Sequence, residues 1–390
     1  MQIPADPCEE EAGVMKIAFV YAGGRERCLA SARAGESAAD FFYGAIELAR
    51  TGHEVSVIDL NPEPCRAVRM LDAGLARWLP PKTYFSDIGA ARRELVRLRE
   101  ADAVVATASG CAFALGICKR LGWLPSGLVG IHCGIVNHPH SLPRRWVAGH
   151  VLRGMSPVLF ADNEAAEMAR QYGDCGARPL WFGVDHEFWT PPPGEARRQG
   201  VLAVGNDGRR DYATLISAAR LLPDVPFQIV TRRELGADLP ANVKHMRGDW
   251  KADALSDADL RSLYRSAACV AVPLTESIQP SGQSVAMQAM MCATPVVMTR
   301  TSGWWGKDVL SAGLHLRDAR PGDPAALAAT IRKSFDEALP RSGRQAMLDA
   351  GWTSAGFSER LTECCRLAAT GAGTRELTAR AGRSQSGDRS

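Results

Sequence analysis

The residue types best suited to phosphate chemistry gather in one stretch, residues 268–303. It holds a single acid, Glu276, followed by the turn residues Pro280, Ser281 and Gly282 and then Gln283 and Ser284. From Ser284 onward Val285, Met287, Ala289 and Met290 fall at helical spacing, with Ser284 or Ser281 placed to cap the helix. Apolar runs on either side, 269–273 and 295–298, read as buried strands of a parallel sheet. Strand, polar loop, helix and strand form the unit from which open α/β sheets make ligand sites. Ser281, Gly282, Gln283 and Ser284 would then sit at a helix N-terminus, where free N–H groups and the helix dipole favour an anion such as phosphate. The alternative is a helix cap with no ligand.

Two further clusters invite a metal reading. His132, Cys133, His138 and His140 lie close in sequence, but no carboxylate stands near and no second thiolate pair exists, which argues against a metal. Asp257 and Asp259 spell a D-x-D, yet before LRSLYRSA they read better as an N-cap with acids in the first helical turn. No pair of carboxylates marks a double-displacement glycosidase.

These residues need a scaffold, and 390 residues suit two domains rather than one core. A hydrophobic content of 46% and a charged content of 23% describe a soluble, globular, enzyme-like chain. A net charge of +3 is too small to suggest a nucleic-acid binder. The 11 cysteines are odd in number, form no C-x-x-C pair, and several sit in apolar runs (Cys111, Cys118, Cys269, Cys292). That pattern fits reduced thiols in a cytoplasm rather than a disulfide framework. No apolar run reaches membrane-spanning length, and the acidic start MQIPADPCEEEAG lacks a signal-peptide core.

In chain order, residues 1–14 read as a disordered leader. KIAFVY at 16–21 is a first strand, Gly23 and Gly24 end it, and a polar loop leads to Gly35 and a helix over 37–50. EVSVIDL at 54–60 is the second strand; its Asp59 could hold a ribose, although G-x-G-x-x-G is absent. Helices at 90–100, 112–121 and 164–172 alternate with strands at 103–106, 128–132, 158–161 and 178–181. Three consecutive prolines within 182–199 suit an interdomain linker. A second alternating series comes next: strands at 201–204 and 227–231, helices at 212–222, 259–266 and 324–339, and a last ordered segment at 345–367. The domains expected are 15–185, a linker at 186–199, 200–350, a C-terminal helix at 351–370 and a disordered polar tail at 371–390. The fold class is α/β, with two doubly wound Rossmann-like domains facing a cleft.

The chain resembles GT-B fold glycosyltransferases, most closely glycosyltransferase family 4, whose retaining enzymes use nucleotide-diphosphate sugars. The likeness runs over about 15–368 through TGHEVSVID, GVDHEFW, VGNDGRRDYATL, DLRSLYRSAACVAVPL, AMMCATPVV and PGDPAALAATI, in that order. Each phrase alone is weak; their order and spacing carry the resemblance.

The resemblance implies roles. The family has two glutamates eight positions apart around the loop; counted back from Pro295 they fall on Gln288 and Pro280, with Glu276 four positions early. Gln288 would hydrogen-bond a ribose hydroxyl without a carboxylate's strength, or else be an exposed helix residue. Glu276 would reach the donor sugar, or cap a turn. The family's diphosphate-binding lysine corresponds to Arg210, and its arginine position to Asn206. Guanidiniums at Arg209 and Arg210 could bind phosphate oxygens bidentately and stabilise the departing nucleoside diphosphate. Gly35 resembles the glycine motif facing the diphosphate, with Gly23 and Gly24 as competitors. His132 resembles a histidine beside the donor sugar, or is a structural histidine.

The reaction these roles imply is hexosyl transfer from a nucleotide-diphosphate sugar to an acceptor hydroxyl with retention, without cofactor or metal. Base and ribose lie near Gln288, the diphosphate near Arg210 and 281–284, and the acceptor on the N-terminal domain, with closure excluding water. The acceptor is a saccharide, a lipid-linked glycan or a small molecule. A nucleotide-sugar-binding protein without activity and an epimerase or phosphorylase on the same fold are alternatives; a dinucleotide oxidoreductase lacks its glycine fingerprint. The basic-apolar segments 91–98 and 144–155 could touch an anionic membrane surface, or be solvated helices.

Overall fold

A computed structural model describes residues 13–62, 66–75, 78–137, 139–194, 197–248, 255–304, 316–336 and 342–371. His138, residues 1–12 of the expected leader and residues 372–390 of the expected tail lie outside them.

KIAFVY forms β1, Lys16–Tyr21, buried from Ile17 onward because both faces of a parallel strand are covered by helices. It pairs with β2, Glu54–Asp59, and with β3, Ala103–Ala106, so that Phe19 stands level with Val57 on one side and Val105 on the other. With β4 (Gly127–Ile131), β5 (Ser156–Leu159) and β6 (Arg178–Pro179) they make a parallel sheet ordered β2-β1-β3-β4-β5-β6. The second sheet holds β7 (Gln199–Val204), β8 (Phe227–Val230), β9 (Val243–Met246), β10 (Ala267–Val272), β11 (Val296–Thr299) and β12 (Leu316–Ala319). It is also parallel and is ordered β12-β11-β10-β7-β8-β9. Strand order reverses between β1 and β3 in the first sheet and between β7 and β10 in the second. At such switch points the loops leave in opposite directions and open a crevice at the carboxyl ends of the strands.

Helices cover both faces: α1 (Leu29–Arg33), α2 (Ala45–Arg50), α3 (Arg66–Leu75), α4 (Phe85–Leu98), α5 (Ser109–Arg120), α6 (Leu142–Leu152) and α7 (Asp162–Tyr172) in the first half. The second half has α8 (Tyr212–Arg220), α9 (Asp257–Ser266), α10 (Gln283–Met291), α11 (Pro324–Asp336), α12 (Ser342–Asp349) and α13 (Ser354–Thr370). One apolar core lies under α4, α5 and α6, and another under α8 and α11. A third runs from the first sheet into the second through Trp189, which is fully buried. The proline-rich segment is therefore core at Phe188 and Trp189, between exposed Glu187 on one side and exposed Pro193 and Gly194 on the other.

One expected helix is broken. Over 37–50 only α2 is α-helical; Asp40–Phe42 is a 3₁₀ turn, and Tyr43 and Gly44 take left-handed conformations. The break aims Asp40 inward, and Gly44 is needed because a Cβ there would stand 2.8 Å from Ser358 Cβ on α13. The terminal segment is two helices parted at Gly351 (φ 65), with Thr353 capping α13 through a bond from Gly356 N. That last helix returns to pack on β3, β4 and α2 of the first sheet. The two crossings run side by side, Val184 N–H donating to Trp352 O and Ser354 N–H to Val184 O.

Candidate active site

The loops after β7 and β10 meet at the switch point of the second sheet. Asp211 N–H donates to Pro273 O and Thr275 N–H to Arg209 O, so the two loops are zipped together by backbone bonds. Between them lies the guanidinium of Arg210, with its side chain only 3% exposed. It fits there because positions 205 and 282 have no side chain. A Cβ on Gly205 would overlap the guanidinium, and one on Gly282 would come within 2.6 Å of Nη1. Gly282 also needs its positive φ of 77 to turn the chain into α10.

Arg210 Nε is 3.4 Å from Asp207 Oδ2, yet neither Nε nor Nη1 has a hydrogen-bond partner. Ser281 Oγ, also buried, has none. Neither Ser281 nor Ser284 caps α10: the helix starts straight after Gly282 with no side-chain cap bond. A buried cation with two donors unfilled, an unpaired hydroxyl and an uncapped helix N-terminus thus converge, and leaving those donors unfilled is costly unless an anion completes them. Arg233, which the sequence reading missed, fixes the cradle: its Nη1 donates to Arg210 O at 2.6 Å and to Asp207 O at 3.3 Å. A cation just past the carboxyl end of β8 was the available signal. Asn206, where the resemblance places an arginine, clasps the same loops by accepting from Thr231 Oγ1 and Arg232 N and donating to Gly248 O. Arg209 contributes backbone, its N–H donating to Asp207 Oδ1.

Other expected site residues take different roles. Gln288 neither faces solvent nor offers itself to a ribose. It is 4% exposed, donates through Nε2 to Asp40 Oδ2 at 2.6 Å and accepts from Tyr264 OH at 3.2 Å. Asp40 also receives Asp185 N and, at 2.8 Å, Trp189 Nε1. Burial pushes its carboxyl up to about 7, against the pull of these hydrogen bonds. Gln283 reaches across the cleft, donating to Phe160 O. Glu276 caps a turn, its Oε1 receiving Ser302 N–H at 2.8 Å. Ser256 and Asp259 form the capping box of α9, while Asp257 Oδ2 receives Ala38 N–H from the other domain. Asp59 is engaged by Arg25 N and Glu26 N. Gly35 ends α1 at φ 73 with nothing within 4 Å of a Cβ; Gly23 and Gly24 also have positive φ.

His132 ends β4 but turns beneath α5 rather than into the cleft. It is fully buried against Phe113, neither ring nitrogen has a partner, and burial, with Lys82 nearby, pushes its pKa down to about 3. It is therefore neutral at pH 7. His140 Nε2 bonds Ile135 O, away from it, and among the described residues no group of three His, Cys, Asp or Glu could hold a metal.

Opposite the cradle, at the switch point of the first sheet, lies a cavity of about 520 Å³. Its walls are the carboxyl ends of the strands (Leu60, Thr107, Ile131, Phe160), the start of α5 (Ser109, Gly110), Lys82 and Tyr84, with Gln279 of the other domain. Asn137 ties that glutamine down, donating to its Oε1 at 2.7 Å and accepting from Ser277 Oγ. A cavity of about 500 Å³ lies at the amino ends of the same strands beneath α13, far from both crevices.

Comparison with known proteins agrees with this architecture. Residues 199–337 match the sequence profile of the family described as Glycosyl transferases group 1. A glycosyltransferase of Rickettsia africae superposes with a TM-score of 0.65 at 13% identity, covering 91% of this chain and 98% of that one. Sucrose-phosphate synthase of Thermosynechococcus elongatus gives 0.63 at 16%, covering 90% and 98%. HepE of Anabaena, solved with UDP and glucose, gives 0.60 at 18%, covering 90% and 98%. No curated protein matches in sequence. The chain has the GT-B fold of two Rossmann-like domains.

Proposed function

We infer that the protein transfers a glycosyl unit from a nucleoside-diphosphate sugar to an acceptor hydroxyl. The observation that carries this is the Arg210 guanidinium, buried with Nε and Nη1 unpaired and laid between Gly205 and Gly282 at the start of α10. A diphosphate would take those donors, Ser281 Oγ and the free N–H groups of α10, which would also stabilise the charge of the departing nucleotide. The profile match over 199–337 and the UDP in the complex of the Anabaena neighbour support a nucleotide ligand. The acceptor would occupy the cavity facing it, and hexosyl transfer with retention, needing no metal, is the fullest form of the reading. Gly35 remains the proposed diphosphate neighbour from the N-terminal domain, whereas His132, Glu276 and Gln288 serve the reaction through the fold.

A second reading, a nucleotide-sugar-binding protein without transferase activity, is favoured by one observation. Position 288 carries no carboxylate, and one oxygen of Glu276 is taken by the Ser302 amide.

Thermal unfolding with UDP, GDP, ADP, dTDP and their sugars, on wild type and Arg210→Ala, tests the site. A ligand at one hundred times its dissociation constant adds about 2.7 kcal/mol of apparent stability. Stabilisation of wild type alone is expected; stabilisation of neither, or of both equally, refutes the cradle. Nucleotide release that depends on acceptor and persists in EDTA separates transferase from binding protein, and the anomeric configuration of the product tests retention.

A further inference from the structure

Thirteen large apolar side chains are exposed among the described residues, and eight of them fall within 70–85 and 142–146. Met70 is 73% exposed, Trp78 52%, Leu142 76% and Trp146 70%. The two segments are one surface. Trp78 N–H donates to Leu75 O, carrying the chain on from α3, and Arg144 Nη2 at the start of α6 donates to Pro80 O. Phe85 N–H and Ser86 Oγ bind the Asp72 carboxylate, joining α3 to α4. Leu142 and Trp146 are one helical turn apart and share a face of α6.

The same surface is basic. Residues 66–75 and 78–86 carry three cations and one acid, and 141–155 carry three cations and no acid, a net of +5 against +3 for the whole chain. The single acid, Asp72, is the one whose two oxygens are already bound. Lys82 and Tyr84 belong at once to this collar and to the wall of the N-terminal cavity, so the cavity opens onto it.

We propose that this collar docks the N-terminal domain on an anionic lipid bilayer. Exposed tryptophan, leucine and methionine insert at the headgroup–acyl boundary while Arg66, Arg69 and Lys82 meet lipid phosphates. A two-fold dimer through the same patch would press a strongly cationic surface against its own copy, which disfavours a second chain as the occupant. The arrangement sets the cavity mouth at the membrane, within reach of an acceptor carried on a lipid.

The test is co-sedimentation of the full chain with vesicles of phosphatidylcholine alone or mixed with phosphatidylglycerol, at low and high salt. Wild type is expected to pellet with the mixed vesicles and to be released by salt. Arg66→Glu with Arg69→Glu, and separately Trp78→Ser with Trp146→Ser, should each weaken binding about tenfold or more. Leu221→Ser, an exposed site on the other domain, should bind as wild type. Thermal unfolding of each variant near the wild-type value shows that the fold is kept. Absence of pelleting on phosphatidylglycerol overturns the proposal, as does pelleting that the collar variants leave unchanged. A dimer in light scattering that the same variants dissolve would name a second copy as occupant and overturn it too. Nucleotide binding at Arg210 is measured separately, so either idea can fail alone.

Discussion

Three N–H donors converge on the two oxygens of Asp40, from Asp185, Trp189 and Gln288, and they decide what can stand at position 288. A glutamate there, as the family resemblance implies, would set two buried carboxylates within hydrogen-bonding distance, and one would have to hold a proton. Glutamine supplies the donor instead, and its oxygen is left for Tyr264 OH. Gln288→Glu is therefore expected to destabilise the protein by about 3 kcal/mol at pH 8, the scale of a disrupted buried charge network, and by less at pH 5. Asp40→Asn combined with Gln288→Glu should recover part of that loss, because the amide donor then lies on the other side. Urea unfolding of the two single variants and the double variant gives the coupling; simple additivity would show that the residues do not interact.

At the scale of elements, the cradle depends on two glycines that end one strand and begin one helix. Gly282→Ala would put a methyl 2.5 Å from Val272 Cγ1 and 2.6 Å from Arg210 Nη1, at a φ that L-residues adopt at a cost of about 1 kcal/mol. The expected result is a modest fall in thermal stability and at least about a tenfold loss of nucleotide affinity, the equivalent of one lost charged hydrogen bond. Unchanged affinity in calorimetry would show that the guanidinium does not touch the ligand. Much of this framework was legible in the sequence. β1, β3, β4, β7, β10 and β11 are short apolar runs because both faces of a central parallel strand are covered. The outer strands of the second sheet were missed for the converse reason: β9 exposes Lys244 and His245, and β12 exposes Asp318. The helix expected over 37–50 failed at Tyr43 and Gly44, where contact with α13 more than three hundred residues on sets the backbone. In the site, 281–284 could be found by type and spacing, and Arg210 through the family resemblance. The partners of Gln288 and Glu276 could not, since Asp40 and the Ser302 amide reach them only through the tertiary fold.

Over the whole molecule, the face between the domains is held by polar groups: Asp40 to Gln288, Asp257 to Ala38, Asn163 to Ser302 and Asn137 to Gln279. Asp40 in this interface titrates, and so do Glu47 and Glu164, buried within the first half of the chain. Burial pushes Asp40, Glu47 and Glu164 each up to about 7, whereas unfolded carboxyls titrate near 4. Between those values the folded protein keeps protons that the unfolded chain has released. Its stability is then full below about pH 4 for these groups and declines as pH rises towards 7, by up to about 1.4 kcal/mol per group per pH unit. Exposed pairs such as Arg332 with Asp224 act in the opposite direction, but at lower pH and weakly because water screens them. Thermal unfolding should therefore drop in midpoint from pH 5.5 to pH 8, and Asp40→Asn, which removes one titrating group, should flatten the slope. A midpoint constant or rising across that range would mean that the interface holds its carboxylates charged, with the three donors on Asp40 outweighing its burial.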